Sequence, residues 1–136
     1  MIPVRSRTRR SEREAASCSL SWIKKRMPPR RGEVWLFDLG MTAKVRPVLV
    51  VSVEYGDSDR AIVTVVPHTT EVRQSSFEIF IKVPFLRPGA FLVQGVSTYL
   101  KAWAIRKLGA IKPDQMEAVA NALAAWLGIG RAENTR

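Results

Sequence analysis

Lys44-Val45-Arg46-Pro47-Val48-Leu49-Val50-Val51-Ser52, followed after a polar turn by Ala61-Ile62-Val63-Thr64-Val65-Val66-Pro67-His68-Thr69-Thr70, decides how the rest of the chain is read. Both runs are dominated by β-branched apolar residues, and Gly56-Asp57-Ser58-Asp59 between them is turn chemistry. The simplest topology is an antiparallel hairpin. Pro47 fits the first position of a strand, where a missing N–H is tolerated. In such a hairpin Arg46 and Thr69 lie at the same end, so one cation and one hydroxyl converge at the mouth of a small sheet.

Upstream of the hairpin, Gly32-Glu33-Val34-Trp35-Leu36-Phe37-Asp38 reads as a strand, with Gly40 as a breaker. Downstream, Phe77 to Val83 alternates Phe77, Ile79 and Ile81 with Glu78, Phe80 and Lys82, the pattern of a sheet with two different faces. Arg87-Pro88-Gly89 turns the chain into a strand at Ala90–Val93, and Trp103–Leu108 reads as the last strand. Gly95–Leu100 between them is ambiguous in pattern, with one helical turn as one reading. Pro113 suits a first helical position. Met116, Val119, Ala120, Leu123, Trp126 and Leu127 then recur at helical spacing, and Gly128 is a natural C-cap. Many short strands followed by one helix predict a mainly β fold, a small closed antiparallel barrel with a C-terminal helix whose stripe packs on the sheet.

A chain of 136 residues is long enough for one core and too short for two. Its 22 Lys and Arg outweigh 12 Asp and Glu, for a net charge of +10. Residues 1–26 hold eight of the basic residues and two acidic ones, which leaves +4 for the remainder. Few of those first residues are apolar, so the stretch reads as a disordered basic tail, with Met27 as an alternative start, ahead of a domain at 27–130 and a short polar tail at 131–136. A modestly basic body favours a polyanion such as RNA or DNA, or an acidic protein segment. The single cysteine, Cys18, rules out an internal disulfide and fits a reducing cytoplasm. No apolar run approaches the roughly 18 residues of a membrane span.

Taken in order, Arg31-Gly32-Glu33-Val34-Trp35, Arg46-Pro47-Val48-Leu49-Val50-Val51-Ser52, Pro67-His68-Thr69-Thr70, Gln94 and the Pro113-Asp114-Gln115-Met116 helix ending Trp126-Leu127-Gly128 resemble the MazF/PemK (Kid) family of toxins from bacterial toxin–antitoxin pairs. The resemblance implies an SH3-like barrel, homodimeric, that acts as a metal-independent, sequence-specific endoribonuclease and is neutralised by a partner antitoxin. It implies no cofactor. By position it gives catalytic roles to Arg46 and Thr69. Two departures stand out. Only Gly40-Met41-Thr42-Ala43-Lys44-Val45 precedes the Arg-Pro pair, where many relatives have a longer loop, and Val93 replaces the acid that often precedes the glutamine. No acid/base mechanism resting on that carboxylate transfers.

Metal-free RNA cleavage uses the substrate's own 2′-OH as nucleophile and yields a 2′,3′-cyclic phosphate and a 5′-OH. Arg46 suits the phosphorane because its planar fork donates paired hydrogen bonds and stays charged. Thr69 suits positioning of a phosphate oxygen. A proton carrier is missing from this pair. His68, the sole histidine, titrates in the right range, but strand alternation turns it away if Thr69 faces the site. Lys44, Thr70 and Gln94 remain candidate contacts. The substrate is expected to be single-stranded RNA, with Trp35, Trp103 and Phe91 available for stacking. The antitoxin is expected to lay an acidic segment along the groove. Two rivals stay open: a CcdB-like toxin that binds gyrase without cleaving anything, and a non-catalytic nucleic-acid-binding barrel.

Overall fold

The computed structural model describes residues 28–40 and 45–130. The basic tail at 1–26, the start at Met27, Lys44 and the polar tail at 131–136 lie outside the described residues.

Among the described residues, seven strands and one long helix follow in order: β1 (Glu33–Asp38), β2 (Val45–Val50), β3 (Ile62–Thr69), β4 (Glu78–Phe80), β5 (Ala90–Leu92), β6 (Ser97–Leu100), β7 (Ala104–Ala110) and α1 (Pro113–Leu127). The hairpin forms as the sequence implies. β2 and β3 pair antiparallel through Val48↔Pro67, Leu49↔Val66 and Val50↔Val65. Its turn is closed by Asp59, whose carboxylate accepts the Gly56 N–H at 2.7 Å. Pro47 and Pro67 have no N–H to give, and the ladder ends at Val48↔Pro67. Beyond that pair the two chain segments carry Arg46 and Thr69.

β3 is the hub. It pairs with β2 on one edge, and on the other with β5 (His68↔Phe91) and then β6 (Val63↔Tyr99). Between β5 and β6 a 3-10 turn, Val93–Gly95, interrupts what is otherwise one long partner strand. The helical turn expected across Gly95–Leu100 therefore belongs to Val93–Gly95, and Ser97–Leu100 is a strand. Thr98 and Tyr99 alternate there against Thr64 and Val63, a pairing that a single-segment reading could not see.

The sheet runs β4-β5-β3-β2-β1-β7, with β6 off that path on β3. Among the described residues its ends, β4 and β7, do not pair, so the barrel expected from the sequence is not closed there by hydrogen bonds. Mainly β with a C-terminal helix is nevertheless the right class.

Both faces of the central strands are buried, which explains the unbroken apolar run Val48–Val51. Val34, Leu49, Val51, Val66, Phe91 and Val93 face one core, covered by Met116 and Val119 of α1. Trp35, Phe37, Val48, Val50, Val63 and Val65 face a second core. The alternation at Phe77–Val83 has the right faces, with Ile81 buried and Phe80 exposed, but only Glu78–Phe80 pairs as strand. The helix matches its expected span, and Gly128 adopts the left-handed φ of 70° that ends it. Its stripe is shorter than expected. Trp126 and Leu127 remain 41% and 51% exposed, the indole meeting Phe77 edge-on at 5.2 Å.

Candidate active site

Where the β2–β3 ladder stops, a groove of about 830 Å³ opens, lined in part by Arg46, Pro47, His68, Thr69 and Thr70. Register explains its shape. Leu36 of β1 sits opposite Pro47 of β2 and opposite Arg106 of β7, so three strands contribute to one wall. Phe85, Leu86 and Leu108 complete an apolar lining, and Arg87 joins Arg46 and Arg106 at the opening. The groove thus has an apolar lining and three exposed guanidiniums. Among the described residues the ion pairs are Arg30–Glu54 and Lys107–Glu33; none of the three groove arginines takes part in one. An unpaired cation beside an apolar wall is a ready site for an anion, since little must be displaced for one to bind.

Thr69 ends β3 and its Oγ1 accepts the Glu71 N–H at 3.0 Å. It does cap a turn. That contact uses a lone pair and leaves the hydroxyl proton free to be donated to a phosphate oxygen.

His68 borders the groove as well, although strand alternation sets its side chain on the opposite face of β3 from that of Thr69. It is 5% exposed and meets Phe91 edge-on at 5.1 Å, and its Nε2 has no hydrogen-bond partner among the described residues. Burial disfavours the imidazolium and pushes its pKa below the ordinary value of 6.5. Packing also fixes the loop beside it. A Cβ on Gly89 would fall 2.2 Å from the Thr69 carbonyl oxygen and 2.8 Å from His68 Cε1, so only glycine allows the Arg87-Pro88-Gly89 turn to lie against the end of β3.

The other sequence candidates separate. Thr70 lines the groove. Gln94 sits exposed on the 3-10 turn and is not among the lining residues. Val93 is fully buried in the first core, which accounts for the missing acid there. Of the proposed stacking aromatics, Phe91 and Trp35 are core residues; Trp103 is exposed but packs on Tyr99 at 5.7 Å, outside the groove lining. Sequence reasoning missed Arg87, Arg106 and Glu71 as groove residues. Arg106 had a usable signal, a charge breaking an apolar strand beside Ile105; Arg87 and Glu71 sit in loops whose direction no pattern reveals.

Residues 30–127 match the family described as PemK-like, MazF-like toxins of type II toxin–antitoxin systems. The chain belongs to that family. An endoribonuclease from a mycobacterial species, solved with its cognate antitoxin, is similar at 28% identity with a TM-score of 0.66, over 76% of this chain and 98% of that one. The Mycobacterium tuberculosis toxin MazF-mt6 is similar at 26% identity and a TM-score of 0.64, over 73% of this chain and 99% of its own. MazF in a MazE–MazF complex from Deinococcus radiodurans shares the fold, at 19% identity and a TM-score of 0.67, over 76% of this chain and 100% of that one. The family accounts for the mainly β architecture, and endoribonuclease activity is found among its members. No described helix of this member is long and apolar enough to cross a membrane.

Proposed function

We propose that this MazF-like protein is a sequence-specific endoribonuclease of the cytoplasm that cleaves single-stranded RNA without a metal and thereby arrests translation and growth. The convergence of Arg46 and Thr69 on one groove, with Arg87 and Arg106 beside them, carries the reading. The RNA 2′-oxygen attacks the adjacent phosphorus. Arg46 stabilises the charge that builds on the non-bridging oxygens, a contribution typically worth ~10² to 10³ in rate. Thr69 donates its free hydroxyl proton to one of those oxygens and fixes the phosphate for in-line attack. Products are a 2′,3′-cyclic phosphate and a 5′-OH.

The partner of the mycobacterial relative is an antitoxin. An antitoxin here would lay an acidic segment, with apolar side chains for the lining, along the same groove. Two copies about a twofold axis would join two grooves into a longer platform for RNA.

Purified protein and a long single-stranded RNA in excess EDTA test the reading. New 5′-OH ends at a few short motifs, with cyclic phosphate opposite them and cleavage by Arg46→Ala lowered by about 10² to 10³, are expected. Intact RNA, at a protein level that still stops growth, would transfer the function to a protein target such as gyrase.

A further inference from the structure

The reaction needs a group to take the 2′-OH proton, and neither Arg46 nor Thr69 does so near neutral pH. His68 borders the groove but is 5% exposed, and burial makes its imidazole a weaker base than usual, while Val93, where the family resemblance would place an acid, is buried. Asp57, Asp114 and Glu117 lie outside the groove lining, and several other carboxylates in the described residues are occupied by the fold. Glu33 holds Trp35 Nε1, the Arg30 N–H and Lys107. Glu78 accepts the N–H groups of Arg73 and Ser75, and Asp38 and Asp59 accept those of Gly40 and Gly56.

Glu71 is different. It is the one carboxylate among the described residues that line the groove, and its side chain makes no hydrogen bond or ion pair with any of them. Its backbone is fixed all the same. The Glu71 N–H is held by Thr69 Oγ1, and the far end of its loop is clamped by Glu78, with Gln74 driven to a φ of 63° between the two. A side chain free to turn on a tethered backbone is thus carried two residues beyond the phosphate-positioning hydroxyl. A negative charge in a groove that binds polyanions opposes binding, and without a task it would only weaken the complex.

We propose that Glu71 is the general base of the cleavage reaction, an inference that rests on the ribonuclease reading above. Its carboxylate takes the proton of the 2′-OH as the 2′-oxygen forms its bond to phosphorus and the bond from phosphorus to the 5′-oxygen breaks. The departing 5′-oxygen takes a proton from solvent water. The hydroxide so formed is neutralised by the Glu71 carboxylic acid, which restores the carboxylate.

Single-turnover cleavage and RNA binding are measured together, in EDTA, for wild type, Glu71→Gln and Glu71→Ala. Expected is a loss of about 10² to 10⁴ in cleavage rate at saturating RNA for Glu71→Gln, with affinity equal to or tighter than wild type because one negative charge has gone. Added formate should restore rate to Glu71→Ala in proportion to its concentration and leave wild type unchanged. Cleavage by Glu71→Gln at the wild-type rate overturns the assignment while leaving the ribonuclease reading intact. A rate loss matched by lost RNA affinity, or a slow Glu71→Ala that formate does not accelerate, also overturns it, since Glu71 would then serve structure. If wild type yields no cyclic phosphate, the ribonuclease reading fails and the base falls with it.

Discussion

Lys107 and Arg106 are neighbours on one strand and end in opposite circumstances. Lys107 reaches Glu33 at 3.2 Å, and the same carboxylate accepts from Trp35 Nε1 at 2.9 Å and from the Arg30 N–H at 3.0 Å. Burial alone would raise the pKa of Glu33, but the bonds from Trp35, Arg30 and Lys107 outweigh it and leave the pKa below the usual 4.5. Arg106, one residue earlier, points at the groove with no ion pair among the described residues. The first cluster is complete without any other molecule. The second has its charges in place and their partner missing, which is how a surface built for an anion differs from one built for stability.

Substitutions on either side should separate these two kinds of cluster. Of the substitutions in these two clusters, Arg46→Ala has the largest effect: cleavage should fall by about 10² to 10³, while the urea midpoint moves little. A comparable fall in stability would show instead that Arg46 serves the fold. On the other side, Glu33→Ala strands the buried Trp35 N–H and should cost about 1 to 3 kcal/mol in urea unfolding, with the cleavage rate of the folded protein unchanged. Equal damage to both quantities would erase the distinction.

His68 gives a smaller, pH-dependent effect. Its folded pKa lies below 6.5, so the unfolded chain binds a proton that the folded protein refuses as pH falls through 6.5. Stability should be full above that value and decline beneath it, at no more than about 1.4 kcal/mol per pH unit, until the folded pKa is passed. Urea midpoints for wild type and His68→Phe between pH 8 and 5 read this directly, and identical slopes would mean that the imidazole is not the source. Smallest is Arg106→Ala. It should reduce RNA affinity and lower the slope of log K against log salt by about 0.7, one phosphate contact on a single strand. An unchanged slope would remove Arg106 from the interface.

Much of the fold was legible because short-range patterns decide it. The hairpin, the two-faced sheet and the Pro113–Leu127 helix follow from alternation, turn chemistry and helical spacing. Open sheet ends and the displaced 3-10 turn did not follow, because both depend on which strands meet at long range. Arg46 and Thr69 could be brought together from sequence since one hairpin carries them. Arg87, Arg106 and Glu71 come from a loop, the last strand and a turn, and only the assembled sheet brings all three to one groove. Gln94 shows the converse: a residue taken from a motif, exposed outside the groove once the backbone is laid down.

The pairing of β1 with both β2 and β7 has a consequence for synthesis. A chain emerging from the ribosome can close its β2–β3 hairpin early, because the loop is short and its contacts are local. β7 must travel back across most of the domain before it meets β1, and Arg106 and Leu108 travel with it. The growing chain therefore holds Arg46 and Thr69 together well before it has a groove, and the last strand to dock is the one that completes the place where RNA would lie.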